Sequence, residues 1–265
     1  MAARCRPHTL RPNRPALLAL AGFGLFLGAP QAAKAQYSVD PVIVQFSTSN
    51  NVRSTAARIK NDGTQPLDVR LYVNDFEQDE LGTHSFLPAG AGARSCESVL
   101  RVTPDAITVP PGESRYVNIS FEPWHGQDTC WSMVFVETLA RVPTGLRVRQ
   151  RIGVKVYGLA VDGELVGEIT IAEIASGEGG PELVFEFENP GTWPVRPMGS
   201  VEIRDYQGRV VRWIEVRPFS VLPGRGRRVS MPLGQGLVAG EYLAVPVLDF
   251  GADYLAGAQV AFSVP

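Results

Sequence analysis

The sequence predicts an all-β fold made of two related sandwich domains, and two observations lead to this prediction. No segment keeps the three-to-four-residue apolar spacing of a helix over three turns, whereas short alternating runs bounded by Gly, Pro, Asn and Asp occur throughout. The chain also repeats itself, because residues 61–66 (Asn-Asp-Gly-Thr-Gln-Pro) return as residues 189–194 (Asn-Pro-Gly-Thr-Trp-Pro). A Pro-Gly turn follows each copy, at Gly112 and Gly224, and opens onto an alternating segment. The same order of strand, turn and strand therefore recurs in each half.

Alternation places the strands of both halves. The first half predicts strands near residues 42–46, 55–60, 68–74, 99–102, 116–121, 131–137 and 146–157. The second half predicts strands near residues 167–174, 183–188, 199–204, 210–216, 227–232, 242–250 and 259–264. About seven short strands with Pro-Gly turns is typical of an immunoglobulin-like domain. Residues 161–164 are too short for a free linker, so we expect the two domains to meet at a fixed bend with a cleft between them.

Residues 1–35 have the features of a secretory signal peptide. A basic segment with four arginines precedes an apolar run over residues 16–28, and residues 33–35 (Ala-Lys-Ala) offer a small-x-small cleavage site. We expect cleavage after Ala35, which leaves an N-terminal domain over residues 36–160 and a C-terminal domain over residues 165–265. The apolar run is too short for a stable membrane span, so the sequence predicts a secreted or periplasmic protein without membrane insertion.

The charge balance argues against a nucleic-acid-binding function. The whole chain carries 25 Lys and Arg and 27 Asp and Glu. Removal of residues 1–35, which contain five basic and no acidic residues, leaves a net charge of −7. A general nucleic-acid binder needs a basic surface that would outweigh this acidic balance.

Two cysteines remain after signal-peptide removal, Cys96 and Cys130. An even pair in an oxidising compartment predicts a disulfide, which would stabilise the fold by roughly 3 to 4 kcal/mol in the chain-entropy model. The alternative is a pair of free thiols used in redox chemistry, although the two residues form no CxxC motif.

The sequence predicts neither an enzyme nor a cofactor. Neither His84 nor His125 has a second ligand at metal-site spacing, and both are expected to be solvated loop side chains. No nucleophile elbow, phosphate-binding glycine loop or dinucleotide fingerprint is present. We expect Trp131 and Trp213, which lie in alternating strands, to pack in the sandwich cores.

The segment over residues 146–157 is longer than a typical sandwich strand. Apolar residues alternate with basic ones over its length, and the basic set is Arg147, Arg149, Arg151 and Lys155. One interpretation is an ordinary last strand of the first domain, with one face in the core and the other in water. The other is strand addition, in which residues 146–152 pair with a strand of another protein through main-chain hydrogen bonds.

The order of these features resembles the periplasmic pilus (fimbrial) chaperone family. The resemblance rests on the signal peptide, the opening strand over residues 37–44, the Asn-Asp-Gly-Thr turn of residues 61–64 and the proline-rich segment from Val102 to Glu113. It also includes residues 131–137 (Trp-Ser-Met-Val-Phe-Val-Glu), which precede the long alternating strand. The resemblance spans the mature chain and is strongest over residues 37–160.

The resemblance implies a non-enzymatic chaperone without a cofactor. Such a protein binds pilus subunits or other secreted β-rich subunits, donates its long strand to their incomplete sandwich and delivers them to an outer-membrane usher. The positions that match the donor strand are Leu146, Val148, Gln150, Ile152 and Val154.

The family also holds the terminal carboxylate of the subunit with a basic pair in the interdomain cleft. By resemblance, Lys155 or Arg151 would act as this carboxylate anchor on the long strand. The matching position on the opening strand falls near Ile43, which is apolar, so half of the usual anchor is missing. The extra cysteine-bearing stretch over residues 89–98 is a second departure.

A second hypothesis is a secreted structural or adhesive β-sandwich protein without chaperone activity, because sandwich domains host many unrelated functions. The long strand distinguishes the two. A chaperone exposes part of its apolar row until a client binds, whereas a structural module keeps the row buried throughout.

Overall fold

The computed structural model describes residues 37–47, 52–122, 128–141, 147–233 and 236–264, and for residues 139–141 and 147–148 it describes the backbone alone. The regular elements of these residues are β-strands, which confirms the all-β prediction. In the same residues, no helix is long and apolar enough to cross a membrane. The strands belong to one compact unit, Ala35–Pro265, and form two successive sandwiches.

The first sandwich is built from strands in the first part of this unit. They are β1 (Tyr37–Asp40), β2 (Ile43–Ser47), β3 (Ser54–Asn61), β4 (Leu67–Gln78), β5 (His84–Pro88), β6 (Leu100–Thr103), β7 (Ala106–Val109), β8 (Ser114–Phe121), β9 (Cys130–Arg141) and β10 (Arg147–Leu159). One sheet has the order β1-β3-β8-β6. The other has the order β2-β10-β9-β4-β5, with β7 paired to β4.

The second sandwich follows after a short connection. Its strands are β11 (Glu168–Gly177), β12 (Gly180–Asn189), β13 (Met198–Asp205), β14 (Val210–Val216), β15 (Arg225–Pro232), β16 (Gly240–Asp249), β17 (Ala256–Gly257) and β18 (Val260–Val264). One sheet has the order β11-β12-β15. The other has the order β14-β13-β16-β17, with β18 also paired to β16.

The opening strand of the first sandwich is split between the two sheets. β1 pairs antiparallel with β3, whereas β2 pairs in parallel with β10. The division falls at Pro41, which has no N–H group with which to continue the first ladder. Two short strands, β5 and β7, are absent from the sequence prediction because each adds only a few residues to one part of β4.

Period-two alternation fills both sandwich cores. In β3 and β8, for example, Ala57, Ile59, Val117 and Ile119 are buried, and the residues between them face outward. The second core is formed in the same way around Phe185, Phe187 and other buried residues of β12, β13 and β16. The prediction that Trp213 packs in this core is wrong, because 63% of its surface is exposed on the edge strand β14.

The repeated hexapeptides form the same turn in both sandwiches. Asn61 and Asn189 are each 1% exposed, and each ends a strand. The side-chain amide of Asn61 donates to the carbonyls of Gln65 (2.8 Å) and Val109 (2.9 Å). That of Asn189 donates to the carbonyls of Trp193 (2.8 Å) and Val221 (3.2 Å). The internal repeat read from the sequence therefore has a structural basis.

The predicted disulfide between Cys96 and Cys130 is confirmed, with Cα atoms 5.2 Å apart. It ties the segment before β6 to the first residue of β9. Beside it, the buried carboxylate of Asp75 accepts hydrogen bonds from the Gly92 N–H (2.9 Å) and from the hydroxyls of Ser95 and Ser132 (both 2.8 Å). These bonds satisfy a carboxylate that would otherwise be costly to bury.

A third apolar cluster joins the two sandwiches. It packs Leu222 of the second sandwich against outward-facing residues of β4, β9 and β10, which are Phe76, Trp131, Met133, Phe135, Tyr157 and Leu159. Trp131 is therefore buried, as predicted, but in this cluster rather than in a sandwich core. The indole N–H of Trp193 donates to the Ala160 carbonyl (3.0 Å), which ties the second repeated turn to the end of β10.

The β4–β5 hairpin makes polar contacts with β15. The Arg228 N–H donates to the carbonyl of Glu80 (2.7 Å), and the Arg225 guanidinium donates to the Glu77 carboxylate (3.0 Å). These contacts and the apolar cluster connect the two sandwiches.

Candidate functional site

The long strand β10 has two different neighbours along its length. It pairs with β9 over all but its last residue, from Arg147 opposite Arg141 to Gly158 opposite Cys130. It pairs with β2 only over its last five residues, beginning with Lys155 opposite Ile43. On that side of β10, the described residues supply no strand partner for the part before Lys155. This part of β10 is an open sheet edge.

The backbone groups that face the open edge follow from one hydrogen bond. The Lys155 N–H donates to the Val42 carbonyl (2.9 Å) and therefore points toward β2. The register between β10 and β9 has no shift, so N–H groups at every second residue point the same way. The N–H groups of Arg149, Arg151 and Gly153 thus face the open edge, whereas those of the residues between them face β9.

The side chains of the predicted donor row differ in burial. Leu146 lies outside the described residues, and Val148 is described by its backbone alone. Gln150 is half-buried, and Ile152 packs partly buried against the first core. Val154 has no exposed surface. This burial corrects the prediction for Val154, because a side chain that fills its own core is not available to a client.

The Tyr37 side chain contacts β9 and β10 near the start of the open edge. Its hydroxyl donates to the Val136 carbonyl (2.8 Å) and lies 3.3 Å from the Gln150 carbonyl. Burial raises the pKa of Tyr37 to about 12. The hydroxyl therefore stays protonated and links the sheet of β1 to that of β9 and β10.

The basic row of β10 divides between solvent and the cleft. Arg149 is exposed and lies 3.5 Å from the Glu137 carboxylate. The exposed Arg151 guanidinium lies over the rings of Phe135 (4.6 Å) and Phe86 (5.2 Å). Arg151 does not line the cleft between the sandwiches, so the structure does not bring it to the predicted anchor position.

Lys155, the other predicted anchor, lines a cleft of about 360 Å³ between the two sandwiches. Its ammonium group lies 5.9 Å from the centre of the Phe76 ring. Burial is the main cause that lowers the pKa of Lys155 to about 8, and the charges of Arg227 and Arg196 add to it. Within the described part of the chain, Lys155 has no carboxylate within ion-pair distance.

Two arginines of the second sandwich line the same cleft, and sequence reasoning did not identify them. Arg196 follows the second repeated turn, and Arg227 lies in β15. Arg196 is exposed and Arg227 is half-buried. No local pattern marks either residue, because only the packing of one sandwich on the other brings them near Lys155.

Several buried polar atoms of this cleft have no hydrogen-bond partner among the described residues. They are Gln78 Oε1, His84 Nε2 and Arg227 Nε. Gln78 is 8% exposed and lies opposite His84 in the β4–β5 pair. His84 was expected to be a solvated loop residue, but it begins β5 and is half-buried. Its burial, with the charges of Lys155 and Arg227, lowers its pKa.

The described residues do not form a metal site with the usual protein ligands. Within the residues the structure describes, no group of three or more His, Cys, Asp or Glu side chains could hold a metal ion. The cleft itself is lined by cations and by apolar groups such as Ile43 and Phe219. An arrangement of this kind suits an anion that carries apolar atoms.

Comparison with known proteins identifies similar solved structures but no sequence relative. No family model and no curated protein matches the chain. The chain is 12% identical to the CsuC–CsuE chaperone–tip adhesion subunit complex of Acinetobacter baumannii, with a TM-score of 0.48, and the match covers 86% of this chain and 98% of that one. The YadV chaperone is 13% identical, with a TM-score of 0.49 and coverage of 85% and 100%.

The CupB2 chaperone of Pseudomonas aeruginosa is a third similar structure. It is 16% identical, with a TM-score of 0.46, and the match covers 86% of this chain and 100% of that one. At these identities and TM-scores, the likeness carries no argument about function.

Proposed function

We propose that this protein is a periplasmic chaperone that binds secreted β-rich subunits, such as those of pili, by strand addition to the open edge of β10. The observation that carries the proposal is the side of β10 between Arg147 and Val154 that no strand of the described residues pairs with. An exposed sheet edge is a template for another strand, because its N–H and C=O groups lack partners. A client strand would satisfy these groups through main-chain hydrogen bonds.

The side chains of β10 support the same proposal. Gln150 and Ile152 are only partly buried, so part of the apolar row remains available in the absence of a client. Leu146 and Val148 extend this row by the sequence alternation, and we assign the donor role to Leu146, Val148, Gln150 and Ile152. On the other face, the exposed Arg149 and Arg151 supply the charge that discourages pairing of two copies of this edge.

The same proposal includes the signal peptide and the two domains. Residues 1–35 are the signal peptide, and the mature chain has an N-terminal domain over residues 36–160 and a C-terminal domain over residues 165–265. The protein acts without catalysis, and an outer-membrane usher receives the client. The alternative, a structural or adhesive module, gains no specific support, because such a module has no need of an open edge on its longest strand.

The test is affinity purification of the mature protein from its native envelope fraction, followed by mass spectrometry of the proteins that co-elute. The proposal predicts small β-rich secreted subunits in one-to-one complexes. Recovery of the protein alone, from cells that are assembling such subunits, would favour the structural module.

A further inference from the structure

We infer that the open flank of the second sandwich binds an extended apolar peptide segment, which pairs with the free edge of β15. A groove of about 630 Å³ lies on this flank between β14 and β15, and each of these strands is the last in the order of its sheet. Ligand sites usually have volumes of roughly 300 to 1,000 Å³. The identification of the bound segment as part of a client rests on the proposed function, whereas the groove itself rests only on the residues that line it.

The backbone groups of β15 that face the groove follow from two hydrogen bonds. The Leu233 N–H donates to the Pro181 carbonyl of β12 (2.9 Å), whereas the Arg228 N–H donates to the Glu80 carbonyl (2.7 Å) on the other side of β15. The register between β12 and β15 has no shift, so the N–H and C=O groups of successive residues alternate between the two sides. Those of Ser230 therefore point away from β12, and no strand of the described residues pairs with them.

The free part of this edge is short. The β4–β5 hairpin covers its beginning through the hydrogen bond between Arg228 and Glu80. At its end, Pro232 has no N–H group with which to continue a ladder. The groups that remain are the N–H and C=O of Ser230 and the carbonyls of Arg228 and Pro232, which point the same way. An extended segment of about four or five residues spans this part.

Apolar side chains form the floor of the groove. Val229 and Met231 of β15 and the nearby Phe219 are only partly buried against the second core. Pro218 and the buried Val216 complete the apolar lining. A strand added to β15 would place every second side chain over this floor, because side chains on one face of neighbouring strands lie side by side. The removal of this apolar surface from water favours binding.

The other groups of the groove favour an uncharged peptide over a charged one or a lipid. Exposed Glu215 and Arg217 carry opposite charges at one wall, and Arg227 lies at the end toward the interdomain cleft. A strongly acidic or basic segment would meet a like charge in either case. An alkyl chain would fill the floor but leave the N–H and C=O of Ser230 without partners, whereas a peptide satisfies both.

The groove continues into the cleft between the two sandwiches. Pro218, Phe219 and Arg227 line both spaces. The opposite wall of the cleft includes Gly153 and Lys155 of β10, where the open edge of that strand ends. A protein that is held at the open edge of β10 therefore has a continuous path to the groove for one of its segments.

Methionine-methyl NMR tests the groove, because the mature chain contains only Met133, Met198 and Met231. The protein, labelled with ¹³C-methyl-methionine, is titrated with N-acetyl-Val-Thr-Val-Thr-Val amide, which is uncharged and favours an extended conformation. The inference predicts a saturable shift of the Met231 signal and little shift for Met198, which is exposed outside the groove. An analogue with N-methyl groups on alternate backbone amides should bind about tenfold more weakly, because it cannot form the ladder. No saturable shift at Met231, or equal affinity for both peptides, would overturn the inference.

Two variants of Ser230 test the pairing with β15. Ser230→Pro removes the N–H that faces the groove, whereas the hydrogen bonds between β15 and β12 use other groups. Ser230→Ala is the reference, because it also loses the hydroxyl that donates to Glu182 (2.7 Å) but keeps the N–H. Ser230→Pro should bind the peptide about tenfold more weakly than Ser230→Ala. Val229→Thr, which keeps the backbone and the shape of the floor but adds a hydroxyl, should also weaken binding. Unchanged affinity in both Ser230→Pro and Val229→Thr would contradict the site.

Further measurements separate the groove from the open edge of β10 and identify the occupant. Arg149→Pro should leave the Met231 shift unchanged, so binding at the groove is measured without the proposed chaperone function. A protein that binds the peptide but captures no subunit would keep the groove and lose that function. Subunit capture that is equal in Ser230→Pro and Ser230→Ala would show that the client does not use the groove. Octyl glucoside that shifts Met231 with the affinity of the peptide, or self-association that Ser230→Pro abolishes in sedimentation, would replace the peptide by a small apolar molecule or a second copy.

Discussion

Lys155 lies directly opposite Ile43 where β10 and β2 pair in parallel, so one of the two strands carries a cation into the cleft and the other carries an apolar side chain. The cations that accompany Lys155 come instead from the second sandwich. The charge of the cleft therefore comes from residues of both sandwiches.

Binding of a carboxylate in the cleft should weaken as the pH rises through about 8. Lys155 has a pKa of about 8, so it loses its charge there, whereas Arg196 and Arg227 remain charged. A bound anion favours the charged lysine and raises its pKa, so the decline in affinity should begin near the pKa of the free protein, about 8, and end near the higher pKa of the complex. Titration of N-acetyl-trialanine at about pH 7, 8 and 9.5 measures this, and Lys155→Met should lose the pH dependence. Equal affinity at all three pH values would show that Lys155 does not contact the ligand.

The lowered pKa of Lys155 also predicts how the free energy of unfolding changes with pH in the absence of ligand. The pKa of Lys155 is lower in the folded protein than its ordinary value of 10.5, so the unfolded chain binds the proton more tightly. The contribution of Lys155 to stability therefore rises between about pH 8 and 10.5 and is unfavourable below that range. Urea denaturation of wild type and Lys155→Met should show a difference that changes over this range. A constant difference would contradict the lowered pKa.

Arg149→Pro should prevent client capture while leaving the fold largely intact. The N–H of Arg149 faces the open edge, so proline removes a group that β9 does not use. Arg149→Ala is the matched control, because it removes the side chain and keeps the N–H group. We expect co-purification of the client with Arg149→Ala but not with Arg149→Pro, and similar circular dichroism for both. Capture by both variants would mean that the client does not pair with this edge.

Reduction of the Cys96–Cys130 bond should lower the free energy of unfolding by roughly 3 to 4 kcal/mol, as expected for a loop of 34 residues. A Cys96→Ala, Cys130→Ala double variant measured by urea denaturation provides the comparison. The buried Asp75 should remain bonded to Ser95 and Ser132 in both forms. Equal unfolding free energies for the two proteins would remove the stabilising role of the bond.

Asn61→Ala and Asn189→Ala should be similarly destabilising. Each asparagine is buried and donates from its side-chain amide to two carbonyls, and the variant would lose both hydrogen bonds. We expect each variant to lose about 1 to 3 kcal/mol of unfolding free energy. Asp62→Ala is the control, because Asp62 is an exposed residue of the first turn and its replacement should change stability little. A large loss for one asparagine alone would argue against equivalent roles.

The sequence predicts the strands and the repeat well because these depend on local pattern. Alternation identifies β3 and β8 to within about two residues, and the two hexapeptides mark turns that Asn61 and Asn189 indeed form. Trp213 shows the limit of the same reasoning. Alternation predicts that the two faces of β14 differ in burial. It does not predict which face is exposed, and the face that carries the Trp213 indole is the exposed one.

The candidate site was only half predictable. Lys155 and the long strand stand out in the sequence, whereas Arg196 and Arg227 are ordinary surface residues until the second sandwich packs against the β4–β5 hairpin. Arg151 could not be separated from Lys155 by pattern, since both lie on the same face of β10. The structure distinguishes them, because Lys155 lines the cleft whereas Arg151 lies over the Phe86 and Phe135 rings.

Amide hydrogen exchange along β10, with and without a captured client, tests strand addition most directly. The N–H groups of Arg149, Arg151 and Gly153 face the open edge, so they should exchange fast in the free protein and become protected in the complex. Those of Gln150 and Ile152 pair with β9 and should be protected in both states. Fast exchange at the first set in a stoichiometric complex would show that the client binds elsewhere and would contradict the proposed mechanism.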